Sequence, residues 1–207
     1  CMRVLAFRRV WLGMKAPLEE AGFILGAGGG ATGVTWSVLF DFLTGITGIG
    51  TAVALWPVVK RHSRTRALGF VTTRTLEAAT LVLGAVSVLA IVILRDDLAG
   101  ATGDRAAALE VTGQALMAMH DACFLFGPGF MAVCNAFLLG SILYGSRLVP
   151  RWIPTLGLIG APLLLISNLA TLFGIWEQTS DAAMVMVLPL ATWELSVGIY
   201  LAVKGFR

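Results

Sequence analysis

Charge is what this sequence has least of. Only 13% of its 207 residues are Asp, Glu, Lys or Arg, against 57% hydrophobic, and the mean hydropathy is +0.86. Soluble domains carry about 25% charged and 45–50% apolar residues. A chain this short cannot hide so much apolar surface from water, so a soluble globular protein is excluded and lipid is the implied solvent. Histidine is nearly absent: His62 and His120 fall on opposite sides of the expected bundle, which excludes a haem held between two imidazoles. The 3 cysteines form no CxxC and no Cys/His cluster, so no zinc site or other metal centre is expected. Cys123 and Cys134 sit on one helix about 16 Å apart along its axis, too far to bridge. No basic stripe interleaved with aromatics exists on a polar face, which excludes nucleic acid despite the net charge of +3. No serine, histidine and carboxylate combination has the context of a nucleophilic centre. Neither a catalytic set nor a cofactor is expected.

What the sequence does have is long apolar runs. Windows able to cross a hydrocarbon core of about 30 Å lie at approximately 36–59, 68–94, 122–146, 153–176 and 182–203. The expected fold is therefore an all-α, polytopic transmembrane helical bundle of five spans, six if the N-terminal segment inserts. Residues 1–30 read as an N-terminal amphipathic or partial first-span segment, and residues 31–207 as the bundle. The stretch from Met2 to Met14 is apolar but broken by Arg3, Arg8 and Arg9, and is too short to cross. It lacks the pattern of a cleavable signal peptide, and the Cys-Met beginning reads as a fragment or a misassigned start.

The few charges are segregated. Lys60, Arg61, Arg64 and Arg66 separate the first two spans, Arg147 and Arg151 the third and fourth, and Lys204 and Arg207 end the chain. The opposite connections hold Asp96, Asp97, Asp104, Glu110, Glu177 and Asp181 against Arg95 and Arg105. The positive-inside rule places the basic connections and the C-terminus in the cytoplasm, and one longer outer loop is expected around 95–111. Trp56, Trp152 and Tyr144 near the inner ends, with Trp36 and Trp176 near the outer ends, fit an interfacial belt.

Two sequence features bear on helix shape and packing. Gly127-Pro128-Gly129 interrupts the third span, because proline removes a backbone donor and crowds the preceding turn. A kink or break is expected there, either a packing device or a place where backbone groups meet a ligand. In the first span, Thr44, Gly45, Thr47, Gly48, Gly50 and Thr51 have the spacing of a close helix–helix seam, expected within the molecule. The glycine run at Gly26–Gly30 follows no strand and is given no phosphate-binding role.

Ionisable groups within spans are functional candidates by default, since each is costly unless paired or hydrated. Converting position to depth at about 1.5 Å per residue puts Arg74, Glu77, Asn135 and Glu194 in one layer, roughly 10–17 Å above the inner surface. They come from three different spans, and Arg74 and Glu77 share a helix face. A second group lies further out: Asp41, His120, Asp121 and Asn168. Two readings of the inner layer stay open. It is a small-molecule or ion site, with Arg74 holding an anionic group and a glutamate taking up a proton or cation. Alternatively it is a packing lock in a structural or assembly subunit that binds a membrane-protein partner. An enzyme acting on a lipid is the third reading, with His120 and Asp121 as its only candidate groups.

Several strings resemble one family. They are Gly50-Thr-Ala-Val-Ala-Leu-Trp-Pro-Val-Val, the stretch from Ala67 to Glu77, His120-Asp121 through Gly129, Tyr144 through Arg151 with Ile153-Pro-Thr-Leu-Gly, and Trp193-Glu194 through Arg207. Over roughly residues 20–207 the chain is similar to the bacterial membrane family catalogued as domain of unknown function 4386, common in actinobacteria. The resemblance implies a multi-pass protein of the bacterial cytoplasmic membrane, whose members usually have one more N-terminal helix than is read here. It carries over no catalytic residues.

Overall fold

The computed structural model describes residues 18, 23–25, 31–98 and 100–206. Among them the chain is all helix: α1 (Thr32–Val59), α2 (Arg64–Leu98), α3 (Asp104–Phe124), a π-helical turn (Leu125–Met131), α4 (Ala132–Ser146), α5 (Trp152–Leu172) and α6 (Asp181–Lys204). A short 3-10 turn, Phe23–Leu25, precedes α1. The α3, π-turn and α4 segments run on as one 43-residue span, and with α1, α2, α5 and α6 they make 5 helices long and apolar enough to cross a membrane. Most of the N-terminal segment 1–30, including the glycine run and any sixth span, lies outside the described residues.

Helix ends follow local chemistry. The expected outer loop at 95–111 is mostly helical: α2 continues to Leu98 and α3 starts at Asp104, leaving only a short connection. The Ala106-Ala107-Ala108-Leu109-Glu110 run is strongly helix-forming, Asp104 favours the N-terminal end, and Gly103 at φ 62° makes the turn into it. The fourth span stops at Leu172, short of 176, because Gly174 at φ 69° turns the chain and its N–H bonds Thr171 O at 3.0 Å. α4 ends at Arg147, a left-handed residue at φ 58° whose N–H caps Leu143 O. Ser180 caps α6, its Oγ accepting from the Ala183 N–H at 3.3 Å.

Among the described residues two compact units are resolved. The first takes the chain up to Gly45 with Leu81–Cys123, the second Ile46–Thr80 with the chain from Phe124 onward. In the first, Phe23, Ile24, Val34, Val88, Ile91, Val92 and Leu109 form the core. The Arg95 guanidinium lies 4.1 Å over the Phe23 ring, a cation–π contact that neutralises part of the cost of burying it. In the second, Phe70, Leu139, Leu143, Ile153, Leu164 and Trp193 anchor a larger core. The outward surface is apolar on every span, for example Phe40, Leu83, Phe137, Ile159 and Ile199, as a lipid-facing surface requires.

The seam expected in α1 is open at two of its glycines, although Gly45 is buried. A side chain at Gly48 or Gly50 of α1 would meet nothing within 4 Å. Thr44 and Thr51 instead bond back to Phe40 O (2.7 Å) and Thr47 O (2.8 Å), which satisfies their hydroxyls within the helix and lets them face outward. The tight approach is between α5 and α6. A Cβ at Gly160 would lie 2.6 Å from Leu190 N, and one at Gly157 would run into the Trp193 ring. Glycine is required at position 160 because backbone occupies the space, and at position 157 a fully buried indole does.

Candidate functional site

Helix α2 carries Thr73, Arg74 and Glu77 on one face of the second unit, spaced three and four residues apart. Arg74 is the hub. Its Nη1 donates to Glu77 Oε2 at 2.9 Å and its Nη2 to Glu194 Oε1, on α6, at 2.7 Å. Asn135 of α4 donates from Nδ2 to the same Glu77 Oε2 at 2.5 Å, and its Oδ1 accepts from the Thr73 hydroxyl. The four residues that depth arithmetic singled out are thus joined in one hydrogen-bonded chain across three helices. Phe70 packs beneath the guanidinium, 5.9 Å from it.

Burial falls off along this chain. Asn135 is fully enclosed and Glu77 is buried, whereas the Glu194 side chain keeps 40% of its surface exposed. Two carboxylates share one guanidinium, so with all three ionised the cluster carries one negative charge in excess. Arg74 Nε is buried and has no acceptor among the described residues. A buried donor of this kind calls for an acceptor that the described residues do not supply.

The π-turn places Asn135. Pro128 has no N–H and its ring crowds the carbonyl one turn back, and the wider π winding relieves that clash while keeping the chain helical. The interruption expected at Gly127-Pro128-Gly129 is therefore a π-turn and not a break. A π-turn holds one residue more than an α-turn, which rotates everything after it by about 100° about the axis. That rotation sets which face of α4 presents Asn135. The flanking glycines are close-packed. A Cβ at Gly127 would collide with Thr80 and lie 3.3 Å from Glu77 O, and one at Gly129 would stand 3.2–3.3 Å from the Asn168 carboxamide. Asn168, on α5, is buried with its Nδ2 unpartnered among the described residues.

Of the outer candidates, Asp41, His120 and Asp121 belong to the first unit and Asn168 to the second. Asp41 and His120 are buried and Asp121 is exposed. His120 Nδ1 lies 3.2 Å from Gly84 O, and a Cβ at Gly84 would come within 3.1 Å of that nitrogen. The imidazole is packed between α3 and α2, not presented on the surface to a lipid.

Residues 7–205 match the family model described as Domain of unknown function (DUF4386). The chain belongs to the DUF4386 family. No curated protein and no solved structure matches it. The family description carries no activity, so the geometry alone speaks for this DUF4386 protein. Two participants escaped the sequence reading. Thr73 precedes Arg74 and stands four residues before Glu77, a helical spacing that signals a shared face. Thr80, three residues after Glu77, shares that face too, but its contact with Gly127 depends on how α2 meets the π-turn.

Proposed function

We propose that this integral membrane protein is a small-molecule or ion binding and transport module, and that its intramembrane cluster takes up a proton or small cation at Glu194. The observation that carries this reading is the charge count together with the exposure. Two carboxylates share one guanidinium, and the carboxylate that is half open to its surroundings is Glu194. In a low-dielectric setting an excess charge is costly, so the cluster is completed by a bound positive species. The unmet Arg74 Nε supplies a donor for a water or ligand oxygen arriving with it. The basic connections favour a bacterial cytoplasmic membrane location with the C-terminus inside.

The test is thermal unfolding of the purified protein in detergent, at rising sodium or potassium concentration and at falling pH. A species that binds the folded state alone stabilises it by about 2.7 kcal/mol at a hundred times its Kd. Wild type is expected to show that dependence on one of the three species. Glu194→Gln, which keeps the shape and the acceptor facing Arg74, is expected to lose it at nearly unchanged basal stability. A Gln variant that keeps the full dependence overturns the assignment to Glu194.

A second reading has its own support. Asn135 is fully buried and Glu77 ties α2 to α4, as in a packing lock of a structural subunit with a membrane-protein partner. That reading predicts no ligand dependence in wild type and a large stability loss in Glu194→Gln.

A further inference from the structure

The turn joining α1 to α2 holds a feature that the intramembrane cluster does not use. Trp56, Lys60, Arg61 and Arg64 line a crevice of about 360 Å³ at the ends of the two helices. None of these three cations has a carboxylate partner among the described residues. Lys60 Nζ lies 5.8 Å over the Trp56 ring. Their neighbour Arg66 is used differently: its Nε bonds Ser63 Oγ at 3.2 Å and its Nη1 bonds Ser141 Oγ at 3.1 Å, which ties the turn to α4.

Lys60 and Arg61 follow the C-terminal end of α1, where the helix dipole favours cations. Arg64 has no such explanation. It stands in the first turn of α2, which contains no acidic residue, and there the dipole disfavours positive charge. A helix N-terminus and three uncompensated cations around one crevice together form an attractive field for an anion with several oxygens. Trp56 adds an amphipathic wall of the kind that sits at the headgroup level of a bilayer.

We propose that this crevice binds the phosphate headgroup of an anionic phospholipid, with Lys60, Arg61 and Arg64 on the phosphate and Trp56 against the lipid beside it. The shared chemistry is that of a phosphate anion. The lipid is favoured over a free phosphate because the crevice opens at the ends of two apolar, membrane-length helices and has an indole wall.

The experiment is native mass spectrometry of protein released from phosphatidylcholine vesicles that contain phosphatidylglycerol as a minor component, with inorganic phosphate as the soluble probe. Phosphatidylglycerol is expected to stay bound in preference to phosphatidylcholine and to be released as salt rises, since the contacts are electrostatic. The triple variant Lys60→Gln, Arg61→Gln, Arg64→Gln is expected to bind it about a hundredfold more weakly. Arg64→Gln alone, at an exposed position, gives a smaller loss and serves if the triple variant does not fold. Equal retention of both lipids by wild type overturns the proposal, as does equal retention of phosphatidylglycerol by wild type and the Arg64 variant. Displacement of the lipid by inorganic phosphate, with phosphate binding equally well in lipid-free micelles, overturns the lipid assignment in favour of a soluble phosphate.

Discussion

The two units handle buried polarity in different ways. In the first, three buried side chains close onto backbone: Ser37 Oγ on Val34 O at 2.7 Å, Ser87 Oγ on Leu83 O at 3.0 Å, and His120 Nδ1 against Gly84 O of the neighbouring helix at 3.2 Å. In the second, side chains answer one another, from Thr73 through Asn135, Glu77 and Arg74 to Glu194. A bond to backbone confines the cost of losing one group to that spot. A side-chain network spreads it, because removing one member leaves a hydrogen bond or a charge of its neighbour unmet. The contrast is between these backbone-closed groups and a linked set of charges.

The largest expected effect tests that contrast directly. Arg74→Gln leaves Glu77 and Glu194 without their counter-ion, and should destabilise the fold by about 3–5 kcal/mol in detergent unfolding. A loss under about 1 kcal/mol would mean that the network is hydrated and only loosely coupled. Next comes the helix seam. Gly160→Ala must push Leu190 backbone aside and should cost about 1–3 kcal/mol, whereas Gly48→Ala in α1 meets open space and should be neutral or slightly stabilising through helix propensity. Equal losses at the two positions would show that α1 packs more closely than its open glycines indicate. The smallest loss is expected in the first unit. Gly84→Ala presses a methyl group against His120 Nδ1 and Cys123 Cβ, at 3.1 and 3.3 Å, and should cost about 1 kcal/mol because the ring can shift. A loss as large as that of Arg74→Gln would erase the distinction between the units.

Much of this was legible in the residues. Five apolar runs and a mid-span layer of Arg74, Glu77, Asn135 and Glu194 follow from hydropathy and from a fixed rise per residue, which convert sequence position to depth without any tertiary information. The short connection at 99–103 was obscured because Asp96, Asp97, Asp104 and Glu110 look like a loop by charge alone, while their backbone is helical up to Leu98 and again from Asp104. The tightest approach, between α5 and α6, was not singled out for a related reason. Small residues in α1 and in α5 carry the same spacing signal, and nothing in either helix says which one has a partner pressed against it.

Composition and periodicity by themselves determined the solvent, the class of fold and the depth of the buried charges, because lipid allows few structures and each helical residue advances by a constant step. Depth is one coordinate; contact also needs the rotation of each helix about its axis and its choice of neighbour. Those were decided only in the folded molecule. The π-turn at Pro128 sets the face of α4 that bears Asn135, the bare surfaces of Gly157 and Gly160 bring α5 against α6, and Arg74, already beside Glu77 on α2, reaches Glu194 on α6.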